Sequence, residues 1–359
     1  MGVRIVKTEN PRIRTTLWAT AVDRQFTDHM LVVDYAPEKC WHEARIVPYG
    51  PLSIDPASVV LHYAQAVFEC LKAFQNSRKG VILFRPDRYL ARLNRSAARL
   101  CIPSLPEGFA LDAIRELVGL EADWLRRTGA HSLDVLASII ATEPTLGLYP
   151  SRNYTFFAIL STAGPSQKEG LSPVSLLVEP DHVRAAKGGL GGVKTPANYA
   201  AGLLAAQAAR AKGFAEVLWL DAIKHRFVEE VGTMNIFFRI GDELVTPDLD
   251  GSILGGIVRE CVIHLAREWS ICVIERPIGM EELVDAHARG ILHEVFGSAT
   301  PAVICPVSQL SYKGHRLVVN DGAVGGWTRR FYDAITGIQQ GSIEDPYGWT
   351  TTVAARTAP

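Results

Sequence analysis

The chain has 359 residues, 48% of them hydrophobic and 21% charged, enough for two domains or one large one, with a core that needs no disulfide or metal staples. Its 37 lysines and arginines balance 38 aspartates and glutamates, and the net charge of −1 lacks the basic excess of a nucleic-acid-binding surface. No run reaches the roughly 20 apolar residues of a membrane span, and MGVRIVKTENPRIRTT lacks the apolar stretch of a secretory signal.

Residues 1–25 are polar and read as an N-terminal extension; Val6 makes Gly2 a poor myristoylation site. Residues 26–160 read as the first domain. Alternating stretches at 30–35 and 81–84 are strands, and 61–74 is a buried helix or strand between them. Pro86 opens a helix in which Leu90, Leu93, Ala97 and Leu100 face inward, leaving Arg92, Arg95 and Arg99 on the wet side. A second helix runs from Asp112 to Arg127, with Ile114, Leu117, Val118 and Leu125 on one face, and strands follow at 133–142 and 154–160.

The Ser-, Gly- and Pro-rich segment 161–173 is the linker. From 174 to 359 a second domain combines strands at 174–178, 216–221, 236–240 and 271–276 with helices over 199–213 and 257–269. The fold class is α+β: a smaller N-terminal α/β domain and a larger, strand-rich C-terminal one. Cys40, Cys70, Cys101, Cys261, Cys272 and Cys305 show neither CxxC nor zinc-finger spacing, which suits reduced thiols in the cytoplasm and no metal site.

Four segments concentrate chemistry. In 187-KGGLGGVKTPANY-199, four glycines precede Lys194, yet the strings of a P-loop and of a dinucleotide fingerprint are both absent. A surface loop with a solvated lysine remains open on this segment alone. In 226-RFVEEVGTMNIFF-238, extended backbone would point Glu229 and Glu230 to opposite faces, and a buried carboxylate there needs a cationic partner. Glycines 251, 255 and 256 lead into the 257–269 helix, whose first N–H groups form an anion site. The turn in 296-FGSATPAVICPV-307 offers the Thr300 hydroxyl.

The wording and order of these segments resemble the branched-chain aminotransferases, which are fold type IV pyridoxal-phosphate enzymes. The shared strings are FTDHM at 26–30, LHY at 61–63, LFRP at 83–86, RSAARL at 95–100 and TEPTLG at 142–147. They continue with KxxxNY at 194–199, EVLWLD at 216–221, EVGTMNIFF at 230–238 and EVFGSAT at 294–300. The resemblance implies a pyridoxal 5′-phosphate cofactor carried by Lys194 as a Schiff base. It implies that Tyr199 bonds the cofactor's phenolic oxygen and that Glu230 faces its pyridine nitrogen. Arg85, Gly256, Ile257, Val258 and Thr300 would then hold its phosphate. Tyr63, Asp134, Leu136, Thr233 and Pro301 fall at substrate-pocket positions. An amino acid and a 2-oxo acid are the implied substrates, and a homodimer the implied assembly.

This chain departs from the family mainly where substrate is read. At 134–137 the family has Tyr-x-Arg-Pro; here Asp134 and Leu136 replace the tyrosine and the arginine that receives a second carboxylate. Leucine removes an attraction, and aspartate would add a repulsion. Pro301 replaces an alanine whose N–H contacts the substrate's α-carboxylate. Cys70 stands where glycine is common, and Ala302 removes the first cysteine of the vertebrate redox pair. An aminotransferase of altered specificity is the resulting expectation. A racemase, lyase or decarboxylase on the same scaffold is the alternative, and a dead binding subunit a third.

Overall fold

Period-two alternation carries the first part of the chain into a single sheet. The computed structural model describes residues 2–11, 25–128, 132–163 and 171–354. Most of the expected extension, and 164–170 of the expected linker, lie outside the described residues. Two units result: Met1–Ser166 with Lys194–Pro196 and Gly337–Pro359, and Gln167–Val193 with Ala197–Thr336.

Among the described residues, the sheet of the first unit has eight strands. Their order is Arg4–Ile5, Cys40–Pro48, Phe26–Ala36, Tyr154–Ala163, Ser132–Ala141, Ala66–Asn76, Gly80–Phe84 and Thr350–Thr352. The first pair is parallel and the others antiparallel. The stretch expected as helix or strand is both: helix Val59–Tyr63 turns at left-handed Ala64 into central strand Ala66–Asn76. The closing strand Thr350–Thr352 belongs to this unit, although the sequence reading placed everything beyond 174 in the second domain. It satisfies the open edge of Gly80–Phe84, and the Asp345 carboxylate fixes its approach by accepting from the Trp349 and Thr350 N–H groups.

Helix Pro86–Arg99 packs on strand Ala66–Asn76. Arg95 and Arg99 are exposed as expected, but Arg92 is not. It lies one helical turn from buried Tyr89 and Ser96 and is 5% exposed. Its Nε and Nη2 donate to Glu69 at 2.6 and 2.8 Å, and Glu69 is fully buried on the inward face of the strand. An inward carboxylate needs a cation, which overrides the solvated-face pattern of the helix.

The helix expected over 112–127 is two, Glu107–Leu120 and Asp123–Thr128. The break falls at Glu121, whose carboxylate reaches His29 Nδ1 at 2.5 Å and accepts from the Asp28 N–H at 3.2 Å.

The sheet of the second unit runs Val228–Val231, Glu216–Leu220, Val174–Val178, Val303–Tyr312, Leu292–Ala299, Asn235–Ile240, Glu243–Thr246 and Cys272–Glu275, with His315–Val318 paired to Val303–Tyr312. Its core includes the stacked Phe237 and Phe296 rings, 5.1 Å apart, beside Phe331. Helix Ile257–Glu268 forms where expected, whereas the 199–213 helix is two pieces, Pro196–Ala200 and Leu203–Ala211. No described helix is long and apolar enough to cross a membrane.

The Glu69–Arg92 pair yields a stability prediction. Arg92→Ala leaves an uncompensated buried carboxylate and is expected to cost about 3–5 kcal/mol, while Glu69→Leu with Arg92→Leu recovers most of that loss. Urea unfolding measures both; an Arg92→Ala protein as stable as the native one contradicts the assignment.

Candidate active site

Lys194 is held by backbone and neighbours within the first unit. Its N–H donates to Ser96 Oγ at 2.9 Å, and its carbonyl accepts from the Phe68 N–H at 3.1 Å. Thr195 Oγ1 donates to the Ala66 carbonyl at 2.9 Å. The segment Lys194–Thr195 is thereby tied to the start of strand Ala66–Asn76 and to the arginine helix through RSAARL. Lys194 Nζ sits 4.7 Å from the centre of the Phe68 ring. The surface-loop reading fails: this lysine is anchored on both sides and half-buried.

Arg85 is the residue before Pro86 and adopts the left-handed conformation, φ 49°. Its N–H donates to the Trp349 carbonyl at 2.7 Å, and its guanidinium lies 5.5 Å from the Trp349 ring. Tyr63, on helix Val59–Tyr63, is exposed and donates its hydroxyl to the Leu146 carbonyl at 2.8 Å.

Strand register explains the sheet face beneath Lys194. Phe68 lies opposite Ser138, Cys70 opposite Leu136, and Lys72 opposite Asp134. Directly paired residues share a face, so these six point together. Ile159 and Phe157 extend that face from the next strand. Phe68, Cys70, Leu136, Phe157 and Ile159 are half-buried and apolar. Burial raises the Cys70 thiol to about 11, with the Asp134 charge adding, so it is a protonated, apolar occupant.

The expected repulsion by Asp134 is corrected by this geometry. Its Oδ1 is 2.7 Å from Lys72 Nζ, and both side chains are buried; Lys72 also donates to Ser132 Oγ at 3.2 Å. The negative charge is neutralised within the sheet. Leu136 stays half-buried on the same face.

In the second unit, glycines serve close packing. A Cβ at Gly191 would overlap the Ser252 carbonyl, and one at Gly256 would overlap the Asn235 side-chain oxygen. Asn235 in turn donates to the Leu254 carbonyl at 2.9 Å, fixing the entry to helix Ile257–Glu268. Gly256 is its N-cap, and Ile257 and Val258 are the first two helical residues, whose N–H groups have no partner within the helix. Ser298, opposite Asn235 and thus on the same face, is 2% exposed, and its hydroxyl lacks a hydrogen-bond partner. Thr300 is half-buried, and Pro301, beside it, is exposed. Thr233 is exposed at the turn before Asn235, while Tyr199 is half-buried in helix Pro196–Ala200.

Glu229 and Glu230 were expected on opposite faces, one inward. Both are buried, because strand Val228–Val231 loses regular register against its neighbour. Both reach Arg184, which lies 3.3 Å from each. Glu230 also accepts the Leu254 N–H at 2.8 Å, and Glu229 accepts the Ser252 hydroxyl at 2.6 Å.

These are the donor types that a phosphorylated pyridine aldehyde requires. The first unit has an anchored amine and a guanidinium; the second has a buried carboxylate and a helix N-terminus beside a buried, unpartnered hydroxyl. Sequence reasoning missed Ser96, Lys72, Ser252 and Asn235. Only strand register and packing reveal them.

Residues 66–310 match the family model described as amino-transferase class IV. The chain is 50% identical over 334 residues to branched-chain-amino-acid aminotransferase 2 of Bacillus subtilis, covering 93% of this chain and 92% of that protein. Branched-chain-amino-acid transaminase 1 of the same organism is 48% identical over 329 residues, covering 91% and 92%. Among solved structures, the Escherichia coli branched-chain amino acid aminotransferase aligns with a TM-score of 0.73 at 27% identity, over 86% of this chain and 96% of that one.

Proposed function

The chain belongs to the amino-transferase class IV family and is a pyridoxal-phosphate-dependent aminotransferase of the branched-chain type, and from that premise we propose that Lys194 is the amine that carries the cofactor. The observation behind this reading is the threefold anchoring of Lys194 over the Phe68 ring. Pyridoxal phosphate, when bound, supplies an electron sink for a bond broken at the substrate's α-carbon.

The chain's own groups then divide the work. Lys194 Nζ takes the proton from the substrate's Cα and returns it on the product side. Glu230, buried beside Arg184, would hold a proton on the pyridine nitrogen. Tyr199 bonds the phenolic oxygen. Arg85, the Ile257 and Val258 N–H groups at Gly256, and Thr300 bind the phosphate.

For the substrate we propose an apolar amino acid of the branched-chain kind, the class named for the relatives. The sheet face of Phe68, Cys70, Leu136, Phe157 and Ile159 supports it. A second carboxylate meets Leu136 in place of a cation, and Lys72 already holds Asp134. Pro301 offers no N–H to the α-carboxylate; Tyr63 and Thr233 complete the pocket positions. Glutamate is therefore a poor amino donor in this reading.

Leu61, Tyr63, Leu146, Leu148 and Tyr149 are large apolar side chains left 43–84% accessible, with Tyr63 bonded to the Leu146 carbonyl, and this exposure supports a homodimer. All six cysteines are free thiols, in keeping with a cytoplasmic location.

Two measurements check these assignments. Borohydride reduction of the holoenzyme is expected to fix the cofactor on Lys194, located by mass spectrometry of peptides; label on another lysine overturns the site. Light scattering of protein from a cytosolic cell fraction is expected to give twice the chain mass, and a monomer, or recovery only from another fraction, counts against those two readings.

A further inference from the structure

Two buried carboxylates and one guanidinium make an unbalanced cluster in the second unit. Glu229 and Glu230 are each 5% exposed. Arg184 Nη2 is 3.3 Å from Glu229, and its Nε is 3.3 Å from Glu230. Arg184 Nη2 also donates to the Ser252 carbonyl. The second oxygen of Glu230 is taken by the Leu254 N–H, and that of Glu229 by the Ser252 hydroxyl. Asp250 accepts the Ser252 N–H at 3.0 Å and lies 2.7 Å from its hydroxyl, whose single proton Asp250 and Glu229 share.

With both glutamates ionised, the cluster carries two negative charges against one positive charge. Burial makes such an excess costly. Burial pushes the Glu229 carboxyl above the ordinary range, with Glu230 and Asp250 adding, against the opposing pull of Ser252 and Arg184. The other charged groups near Glu229 are Lys187, Lys224, Asp221 and Asp248, which line the recess outside it with Asp250. Lys187 acts on Asp250. One more cation beside Glu230 brings the cluster to balance.

We infer that Glu229 is a positioning residue which, through Arg184, keeps the cofactor's pyridine nitrogen protonated. The inference rests on the reading that Glu230 faces that nitrogen. Ionised Glu229 takes a share of the Arg184 charge, so Glu230 keeps more of its own negative charge for the ring proton. Without Glu229, Arg184 serves Glu230 alone, and its positive field opposes a second positive charge nearby. The paired carboxylates thus match a paired cation set, one from the chain and one from the ring.

The test follows the nitrogen-15 resonance of holoenzyme loaded with pyridine-labelled pyridoxal phosphate as pH is raised. Glu229→Gln is expected to release the ring proton about one pH unit lower, a roughly tenfold weaker hold. Glu229→Asp, which keeps the charge, is expected to stay near the native curve, with melting temperature and circular dichroism of both variants reporting an intact fold. A Glu229→Gln curve that matches the native one, while Glu230→Gln loses the proton, overturns the role of Glu229 and leaves Glu230 in place. If Glu230→Gln also follows the native curve, both assignments fall. Equal shifts in the Gln and Asp variants overturn the charge argument.

Discussion

A charge taken out of water must meet its opposite, and in this chain that requirement decides which side chains stand at the chemistry. Glu69 draws Arg92 under the arginine helix, and that helix carries Ser96, which holds the Lys194 N–H. Asp134 draws Lys72 across the sheet, which closes that charge at the far end of the face beneath Lys194 and leaves Ser138 as the polar residue among Phe68, Cys70 and Leu136. Glu229 and Glu230 converge on Arg184, which fixes the carboxylate assigned to the pyridine nitrogen. The Glu69–Arg92 and Lys72–Asp134 pairs are buried, so removing one member leaves the other uncompensated, while loss of Arg184 strands two carboxylates at once. The fold tolerates these charges only in their present partnership.

Much of this was legible in the sequence where chemistry is written in local strings. KTPANY, EVGTMN and the glycines before Ile257 pointed to an amine, a carboxylate and an anion site, and the strands at 81–84, 174–178 and 236–240 formed close to their expected bounds. What stayed hidden depends on neighbours distant in sequence. The helical pattern around Arg92 gave no sign of Glu69, 23 residues away. At the break between two helices, Glu121 meets His29, 92 residues earlier. The closing strand at Thr350 joins the first sheet because an edge at Gly80–Phe84 was open. Local periodicity carries none of these long-range demands.

Substrate recognition is where family wording and physical geometry had to be weighed together. Aspartate in place of tyrosine suggested a repulsive wall, yet strand register places Lys72 directly opposite and neutralises it. Leu136 lies half-buried opposite Cys70, on the face proposed to read the substrate. Pro301 has no N–H to donate, whatever its surroundings, and the proposed substrate reading counts that donor as absent. The proposed account joins cofactor chemistry typical of the family to a largely apolar substrate face, on which the one charged pair, Lys72 and Asp134, is closed on itself.

The central claim is transamination of an apolar amino acid, and a single half-reaction tests it most directly. The holoenzyme is mixed, without any 2-oxo acid, with L-leucine, L-isoleucine, L-valine or L-glutamate, and its cofactor is identified by chromatography after denaturation. The account predicts conversion to pyridoxamine phosphate with the branched-chain amino acids, with the matching 2-oxo acid formed in equal amount, and much slower conversion with glutamate. A cofactor that remains pyridoxal phosphate while the amino acid is racemised or decarboxylated, or that converts fastest with glutamate, contradicts it.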